Sequence, residues 1–584
     1  MAGEKLEMTA DPKAGSWTLW ALLILVGPFY FLGLRWGLPS NERRDLVLHP
    51  RQETQDLYDS LSVARDQLYK TGSRSLDSNP TAIHREKEKF HEQPLHSIGS
   101  FLIRSLDGDE QATLVALSTL KTKRKPEFYN YGTLYLSGVG LTLLCAQQLG
   151  KITLSPDIRF YYRNPNAMAN IYFWARTFSA LSGLLCAILL YRLTRRLMSP
   201  PWSLVATLLF CLAPVNLFLT HVMKPHLLST AFALAGFNAC VDLMNAPNIR
   251  NYIKSGILFG LAVGMTINLW PLPLFIAVIH FSNTNEKGQA DLLARSTDLK
   301  LWIGMSASIA AYFLSNPFIL MNPHRWWREM TFQSGAMGFT LSWRGIPSIL
   351  KSVPLRGLGL APIGLVFLGI IISHRKRSHR FEKPLLYFLG IYSILFTAQL
   401  KQWAVHAPDT ARYFVPGLAL MTVIAGWTLE KINFRSQSLA ISLAILCVFI
   451  SLERSVFAVM NCIDDNPRTA VNMQAGRWIN SHLKPGTRIG ALYNLLTYRH
   501  PPFHFLDYDI DLYAPQSVGS HETPEYFILD SNPNLYFDPT SPPIPNEKFR
   551  ETYQLERVFV WDKADFYTEY FSGANYPLWI FKHR

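Results

Sequence analysis

The sequence predicts a mainly α-helical, polytopic membrane protein with a small soluble domain at its C-terminal end. Of the 584 residues, 49% are hydrophobic and only 17% are charged, whereas a soluble protein carries about 25% charged residues. The apolar residues form runs of membrane-spanning length, separated by short charged connections. Residues 462–584 differ from the rest, because they are rich in Pro, Tyr, Asp and Asn.

About eleven segments are predicted to span the membrane. The first is TLWALLILVGPFYFLGLRWGL, residues 18–38. It is too long for the apolar core of a signal peptide and lacks a small-residue cleavage site, so we expect it to be retained. NLWPLP at 268–273 is expected to break the apolar run 253–283 into two helices. The other ten predicted spans are about 170–190, 202–221, 227–245, 253–267, 269–283, 301–320, 358–373, 385–400, 412–430 and 437–457.

Basic connections orient the predicted spans. YRLTRR, HRKRSHRFEK and EKINFR follow the second, eighth and tenth spans, and such clusters favour the cytoplasmic side. All three fall on that side if the short, glycine-containing segment 133–145 lies at the interface and does not cross. Residues 1–16 are then cytoplasmic, residues 17–460 form the transmembrane region with an outer loop at 39–169, and residues 461–584 lie outside.

The remaining composition excludes some functions. The net charge of +14 is attributed to loops that face anionic lipid headgroups, because no basic stripe with interleaved aromatics indicates nucleic acid. The six cysteines include no CxxC pair and lie mostly in apolar runs, so we expect small apolar side chains and no metal site built on cysteine. In the tail, TRIGALY, EYFILD, RVFVW and LWIFK predict strands of a small α/β domain.

An acidic motif lies in the predicted outer loop. SLDGDEQATLVALSTL, residues 105–120, contains three carboxylates within four positions. Asp107 and Glu110 have the spacing of a capping box, and acidic groups suit the positive end of a helix dipole. A cap needs only two side chains, so Asp109 is either a solvated carboxylate or a functional group. HPRQET at 49–54, with Glu53 and Asp56, is a rival acidic site.

Cations are predicted near the same side of the membrane. Arg176 lies at the outer end of a span, where an arginine either finds a partner or reaches the headgroups. His221 and Lys224 occupy an outer helix boundary in APVNLFLTHVMKPH, and Arg412 and Tyr413 begin another span in HAPDTARYFVPG. Four separate elements therefore bring one acidic group and several cations to one face.

The order of these motifs resembles the C-type (GT-C) glycosyltransferase superfamily, close to the dolichyl-phosphate-mannose protein mannosyltransferase-like and aminoarabinose-transferase-like membrane enzymes. The motifs that carry the resemblance are Asp107-Gly108-Asp109-Glu110-Gln111, Phe128-Tyr129-Asn130-Tyr131-Gly132 and Arg412-Tyr413-Phe414-Val415-Pro416. The resemblance covers most of residues 17–460 and implies a GT-C fold. The chain departs from the family pattern at Gly108, where a proline is usual, and at Asn268, where a lysine is common.

The resemblance implies transfer of a sugar from a polyprenyl-phosphate donor to a glycan, lipid or protein acceptor, on the outer face of the inner (plasma) membrane or in the lumen of the endoplasmic reticulum. Direct displacement by a hexosyl- or pentosyltransferase of this type would invert the anomeric centre. Such a reaction needs a carboxylate base for the acceptor hydroxyl and cations for the leaving phosphate. Asp109 is the expected base, with Glu110 as its partner or as a metal ligand. Donor-phosphate binding is expected of Arg176, Arg412, Tyr413 and Lys224, and substrate binding of Tyr131 and His221.

Other points stay open in the sequence. No residue is assigned as an established metal ligand, and a divalent metal cofactor is left open. A transporter or flippase for lipid-linked or polar solutes is a rival class, although the charges gather at one face and no inverted repeat is visible. A GT-C-like scaffold without activity is a second rival, because the usual His-Pro is replaced by Asp107-Gly108.

Overall fold

The fold is described by a computed structural model of the chain. The described residues are 12–75, 94–123, 129–282, 295–336, 353–355, 357–375, 381–399, 408–492, 495, 497, 500–513, 523–530, 544–563 and 575–584. Residues 124–128, which open the aromatic motif, and 376–380 of the second basic connection lie outside this set.

Helices dominate the described residues, and the chain divides into two compact units. The first unit comprises Met1–Leu32, Thr119–Gly138 and Phe178–Val456, and the second comprises Gly33–Ser118, Val139–Thr177 and Phe457–Arg584. The longer helices are Pro12–Phe31, Gln55–Ser75, Pro94–Ile103, Glu110–Lys123, Thr133–Gln148, Pro165–Arg195, Pro200–Cys211, His226–Asn245, Ile249–Met265, Leu299–Ser315, Pro323–Ala336, Leu360–Arg375, Glu382–Gln399, Val415–Asn433, Gln437–Asp464 and Val471–His482. The shorter helices and 3-10 turns are Asn41–Val47, Pro50–Gln52, Ile158–Arg163, Pro214–Thr220, Ile267–Leu269, Leu274–Ser282, Pro317–Met321, Pro408–Phe414, Phe505–Asp507 and Glu547–Thr552.

Several helices have the length and composition of membrane spans, which supports an integral membrane protein. Among the described residues, four helices qualify: Pro165–Arg195, His226–Asn245, Ala411–Asn433 and Gln437–Asp464. A fifth is formed by Pro200–Cys211 and Pro214–Thr220 if this pair, bent by 62°, is one span. Four of the other six predicted spans coincide with shorter apolar helices, at Trp17–Phe31, Ile267–Ser282, Leu299–Ser315 and Leu360–Ser373. The count of eleven stays a prediction.

The predicted break at NLWPLP is present in the first unit. The helix Ile249–Met265 ends before it, a 3-10 turn covers Ile267–Leu269, and a new helix runs over Leu274–Ser282. Pro271 and Pro273 explain the interruption, since each lacks the N–H that a continuous helix would need. The segment predicted to lie at the interface is likewise helical, over Thr133–Gln148.

The C-terminal residues form a five-stranded mixed sheet, which confirms the predicted small α/β element. The strands are β1 (Arg488–Leu492), β2 (Asp509–Tyr513), β3 (Tyr526–Asp530), β4 (Tyr553–Phe559) and β5 (Leu578–His583). Their spatial order is β2-β1-β3-β5-β4. Strand β1 is parallel to β2 and β3, whereas β5 is antiparallel to β3 and β4. Four of the five strands match the predicted pieces, and β2 was not predicted.

The second unit contains both this sheet and residues 39–118 of the predicted outer loop. The Asn480 side-chain amide donates to the carbonyl oxygen of Leu46 at 3.0 Å, and the Gln52 amide donates to the Asp507 carboxylate at 3.0 Å. The loop and the tail thus pack as one folded body. The predicted boundaries at 39–169 and 461–584, and their place outside the membrane, stay predictions.

Candidate active site

The acidic motif forms a turn that leads into a helix of the second unit. The helix begins at Glu110, and the Asp107 carboxylate accepts the backbone N–H of Asp109 at 3.0 Å. The carbonyl oxygen of Asp107 accepts the N–H of Glu110 at 3.3 Å and the Ser105 hydroxyl at 3.0 Å. Asp107 therefore stabilises the turn through its side chain, a common role for aspartate before a helix. The Asp109 residue is exposed and the Glu110 residue is buried.

Glu110 pairs with Arg176 inside the second unit. Arg176 Nε and Nη2 donate to the two carboxylate oxygens of Glu110, at 2.8 Å each. Both side chains are 0% exposed. The remaining Arg176 nitrogen, Nη1, donates to the carbonyl oxygens of Leu34 at 2.9 Å and Trp36 at 2.7 Å, and the guanidinium lies 4.8 Å from the Trp36 ring centre. The two charges neutralise each other in a bidentate geometry, the strongest arrangement for such a pair.

These contacts bear on the roles expected of the pair. All three nitrogens of the Arg176 guanidinium donate to protein oxygens, and both Glu110 oxygens receive donors from Arg176. A lipid phosphate at Arg176, or a metal ion at Glu110, would have to replace these bonds. In this arrangement the residues do not fit a metal ion at Glu110. Phosphate binding by Arg176 stays a prediction. The pair as described links the start of the helix at Glu110 to the loop at residues 34–38.

A second buried arginine holds the same loop. Arg43 donates to the carbonyl oxygens of Gly37 at 3.0 Å, Leu38 at 2.8 Å and Arg104 at 2.9 Å. Burial lowers the pKa of Arg43 to about 10, although the charge of the buried Asp465 opposes this effect. Residues 34–38 are therefore fixed by four carbonyl contacts to the two buried arginines.

Gly37 connects this loop to the acidic motif. Its carbonyl oxygen accepts the N–H of Leu106 at 2.9 Å. Its φ of +60° is in the left-handed region, and a Cβ atom there would lie 2.8 Å from the Leu106 side chain. A glycine is thus required by both backbone conformation and space. The loop 34–38 and the turn before Glu110 are held together by Gly37 and by Arg176.

Asp465 is a buried carboxyl group that sequence reasoning missed. It is 4% exposed and follows directly after the helix Gln437–Asp464. Burial raises the pKa of Asp465 to about 7, although the charges of Arg43 and Arg176 oppose the shift. The charged side chains of Glu110, Asp465, Arg43 and Arg176 are thus all buried in the second unit. The sequence pointed to Glu110 through the spacing of the acidic motif and to the need of Arg176 for a partner, but no pattern identified Arg43 or Asp465.

In the first unit, the aromatic motif is anchored by its backbone. The N–H of Tyr129 donates to Glu329 at 2.7 Å, and the N–H of Thr133 donates to the Asn316 side chain at 2.9 Å. A Cβ atom at Gly132 would lie 2.0 Å from a carbonyl oxygen of the neighbouring chain segment. Tyr131 is half-buried, with its ring 6.0 Å from that of Tyr135. Its predicted substrate role stays a prediction.

Arg412 and Tyr413 form a local pair in the first unit. Arg412 Nη2 donates to the Tyr413 hydroxyl at 2.7 Å, and the guanidinium carbon lies 4.8 Å from the Tyr413 ring centre. The Tyr413 ring meets the His226 ring edge-on, with 5.2 Å between their centres. Asn268, where the family pattern has a lysine, donates to the carbonyl oxygen of Tyr413 at 3.2 Å. Arg412 and Tyr413 are both half-buried.

Lys224 and His221 are buried in the first unit, 3% and 1% exposed. The Lys224 ammonium lies 5.3 Å from the Phe218 ring centre. His221 Nε2 lies 2.6 Å from the carbonyl oxygen of Leu32, and Nδ1 lies 2.7 Å from that of Leu217. These backbone contacts join the short helix Pro214–Thr220 to the end of the first helix. The expected roles of Lys224 in phosphate binding and of His221 in substrate binding stay predictions.

The rival acidic site lies elsewhere in the second unit. Glu53 accepts the Tyr58 hydroxyl at 3.3 Å and lies 3.4 Å from Arg44. Asp56 is exposed in the first turn of the helix Gln55–Ser75. Within the described ranges, no group of three or more His, Cys, Asp or Glu side chains could hold a metal ion. The described residues therefore offer no candidate set of metal ligands.

Comparison with known families gives a match over part of the chain. The family described as dolichyl-phosphate-mannose-protein mannosyltransferase matches residues 169–294, a segment that includes Arg176, His221 and Lys224. The match agrees with the predicted resemblance to the dolichyl-phosphate-mannose protein mannosyltransferase-like enzymes, over about a fifth of the chain. No curated protein matches the chain in sequence.

Solved structures of two membrane glycosyltransferases resemble the chain at low identity. ArnT from Cupriavidus metallidurans bound to undecaprenyl phosphate is 13% identical, with a TM-score of 0.42, over 82% of this chain and 95% of that one. The Archaeoglobus fulgidus oligosaccharyltransferase in its apo form is 12% identical, with a TM-score of 0.39, over 73% of this chain. The chain spans 66% of the length of that oligosaccharyltransferase.

Proposed function

We propose that the protein transfers a sugar from a polyprenyl-phosphate donor to an acceptor hydroxyl on the non-cytoplasmic side of the membrane. The proposal is carried by one observation: an exposed aspartate, Asp109, lies in a turn that a buried ion pair holds rigid. The match to the dolichyl-phosphate-mannose-protein mannosyltransferase family supports the class of donor.

Asp109 acts as the general base in this proposal. A carboxylate within hydrogen-bond reach of the acceptor hydroxyl takes its proton as the oxygen attacks the anomeric carbon. Direct attack from the face opposite the phosphate inverts that carbon. The neighbouring Glu110 forms an ion pair with Arg176, so we assign a positioning role to Glu110 and Arg176. They hold the turn that carries Asp109, since a reacting group displaced by about 1 Å loses about 100-fold in rate.

The leaving lipid phosphate needs compensating positive charge as the glycosidic bond breaks. We assign this role to Arg412, Tyr413 and Lys224. Arg412 suits it because a planar guanidinium binds two phosphate oxygens at once, and Tyr413 orients Arg412 through its hydroxyl at 2.7 Å. Lys224 adds a point charge, and Tyr131 and His221 remain proposed substrate contacts.

A transfer assay tests the proposal. Membranes that contain the protein are incubated with radiolabelled polyprenyl-phosphate mannose and with protein, lipid or glycan acceptors. We expect the label to move to one acceptor class, with free polyprenyl phosphate released in equal amount. Movement of intact labelled lipid across the bilayer without release of polyprenyl phosphate would instead identify a flippase. If mannose and pentose donors both give neither transfer nor movement, the scaffold would be the remaining candidate function.

A further inference from the structure

A threonine of the C-terminal residues contacts the segment that leads into the acidic turn. The Thr497 hydroxyl donates to the carbonyl oxygen of Ser105 at 3.3 Å. Both residues are buried, and a hydrogen bond in such an interior is not weakened by competing water. The two residues are 392 positions apart in the chain and belong to the second unit. This bond therefore joins the C-terminal residues directly to the loop that carries Asp109.

Further hydrogen bonds lead from Ser105 to the proposed base. The Ser105 hydroxyl donates to the carbonyl oxygen of Asp107 at 3.0 Å. The Asp107 carboxylate accepts the N–H of Asp109, also at 3.0 Å. Three successive bonds thus connect Thr497 to the backbone of Asp109. A change in the position of Ser105 would be passed along them to the proposed base.

The peptide group between Ser105 and Leu106 is held on both sides. Its carbonyl oxygen accepts the Thr497 hydroxyl, and its N–H donates to the carbonyl oxygen of Gly37 at 2.9 Å. Because a peptide group is planar, two bonds at its opposite edges fix its rotation about the chain. Without the Thr497 hydroxyl, the bond to Gly37 would hold one edge of this peptide group. The C-terminal residues therefore supply a constraint that adds to that of the loop at residues 34–38.

Aromatic packing holds the helix before the turn against the same C-terminal residues. Phe101 lies in the helix Pro94–Ile103, and its ring centre is 4.8 Å from that of Phe505. The Phe505 ring also packs on Phe503, with 4.4 Å between their centres. All three rings are buried, and aromatic pairs at such distances are stabilising beyond the area that they bury. The packing fixes the end of the helix, and Thr497 adds a directional contact just beyond it.

We propose that Thr497 is a positioning residue for Asp109, through which the C-terminal residues set the geometry of the acidic turn. A reacting group displaced by about 1 Å loses about 100-fold in rate, so a bond that orients the turn acts on the rate of transfer through Asp109. This effect on catalysis rests on the proposed function, in which Asp109 is the base. The effect of Thr497 on the order of the turn does not rest on it.

Thr497→Val tests the proposal, because it replaces the hydroxyl by a methyl group and keeps the branched shape of the side chain. In the transfer assay with radiolabelled polyprenyl-phosphate mannose, kcat should fall about tenfold, less than the cost of a full displacement because the other contacts of the turn remain. The KM for the donor should stay unchanged. Thr497→Ser retains the hydroxyl and should restore most of kcat. Amide hydrogen exchange of residues 104–112 should be faster in Thr497→Val than in the wild type or Thr497→Ser.

The matched control is Thr552→Val, which removes a hydroxyl elsewhere in the same unit. That hydroxyl donates to the carbonyl oxygen of Lys548 at 2.7 Å within its own helix. The control should leave kcat and the exchange of residues 104–112 unchanged. Unfolding temperatures check that each variant folds. If Thr497→Val unfolds, Ser105→Ala is the second variant: it removes the next bond toward Asp109 and should lower kcat and speed exchange in the same way.

The result that would overturn the proposal is unchanged exchange or unchanged kcat in Thr497→Val when the wild type is active. An equal loss in Thr497→Ser or Thr552→Val, or a change in donor KM alone, would also overturn it. The proposed function fails separately, through a wild type that transfers no sugar. Faster exchange in Thr497→Val of such a protein would reject the catalytic role and keep the structural one, whereas transfer by the wild type with unaltered Thr497→Val would reject only the positioning role.

Discussion

Arg176 donates two hydrogen bonds of 2.8 Å to Glu110, and neither side chain is exposed. The pair links the helix that begins at Glu110 to the loop at residues 34–38, because the same guanidinium also donates to Leu34 and Trp36. Ion pairs of this kind contribute rigidity and register more reliably than net stability. The position of Asp109 thus depends on a charge pair that itself has no contact with solvent.

Glu110→Gln should destabilise the protein by about 3–5 kcal/mol, because the buried Arg176 charge would lose its counter-charge. The double variant Glu110→Leu/Arg176→Met should recover a large part of that loss, since it removes both charges. Thermal unfolding in detergent measures both effects. Asp59→Asn is the matched control, because its pair with Arg159 is about 40% exposed and exposed ion pairs contribute little to stability. Additive losses in the double variant would contradict the account.

Gly37→Ala should destabilise the protein and reduce its activity together. The substitution imposes a side chain at a φ of +60°, which costs about 1–3 kcal/mol, and forces a Cβ atom against Leu106. Gly150→Ala has a similar φ of +66° but open space around the Cβ position, so it isolates the backbone cost. The unfolding temperature should fall further for Gly37→Ala than for Gly150→Ala. Equal unfolding temperatures would show that the contact with Leu106 does not matter.

Tyr413→Phe should raise the apparent KM for the lipid donor severalfold, and Arg412→Ala should raise it more. The first change removes the hydroxyl that accepts Arg412 at 2.7 Å, and the second removes the proposed phosphate ligand itself. Initial rates at varied donor concentration measure both effects. Arg435→Gln, an exposed arginine of the same unit, should leave KM unchanged. An unchanged donor KM in Arg412→Ala would remove Arg412 from the phosphate site.

Stability should fall as pH rises from about 4 to about 7, through Asp465. Burial raises the pKa of its carboxyl group to about 7, against 3.8 for the ordinary group, despite the opposing charges of Arg43 and Arg176. The folded state then binds the proton more tightly than the unfolded state does, so deprotonation favours unfolding. Asp465→Asn should flatten this part of the profile of unfolding temperature against pH. A profile of the same slope in the variant would assign the dependence to other groups.

The local sequence pattern predicted much of the fold but less of the candidate site. The predicted strands TRIGALY and LWIFK were recognisable because aromatic and β-branched residues follow one another there. Strand β2, with the sequence DIDLY, was missed because Asp511 interrupts its apolar pattern. The structure explains that residue: Asp511 is buried and pairs with Arg488 at 2.6 Å. A charge that is paired across strands cannot be distinguished from a solvated one in a single sequence.

The same limit applies to the candidate site. The cost of an arginine in a membrane helix predicted that Arg176 has a partner, but its partner Glu110 is 66 positions away in the chain. The acidic turn was recognised from spacing alone, whereas the division of roles between Asp109 and Glu110 depends on burial.

The central claim is that Asp109 is the base of a sugar transfer. The most direct measurement is the initial rate of transfer from labelled polyprenyl-phosphate sugar by Asp109→Asn, compared with the wild type and with Asp56→Asn of the rival site. The account predicts a fall of at least about 100-fold for Asp109→Asn, the range expected for loss of a general base, with unchanged unfolding temperature and unchanged activity in Asp56→Asn. Full activity in Asp109→Asn together with a large loss in Asp56→Asn would contradict it.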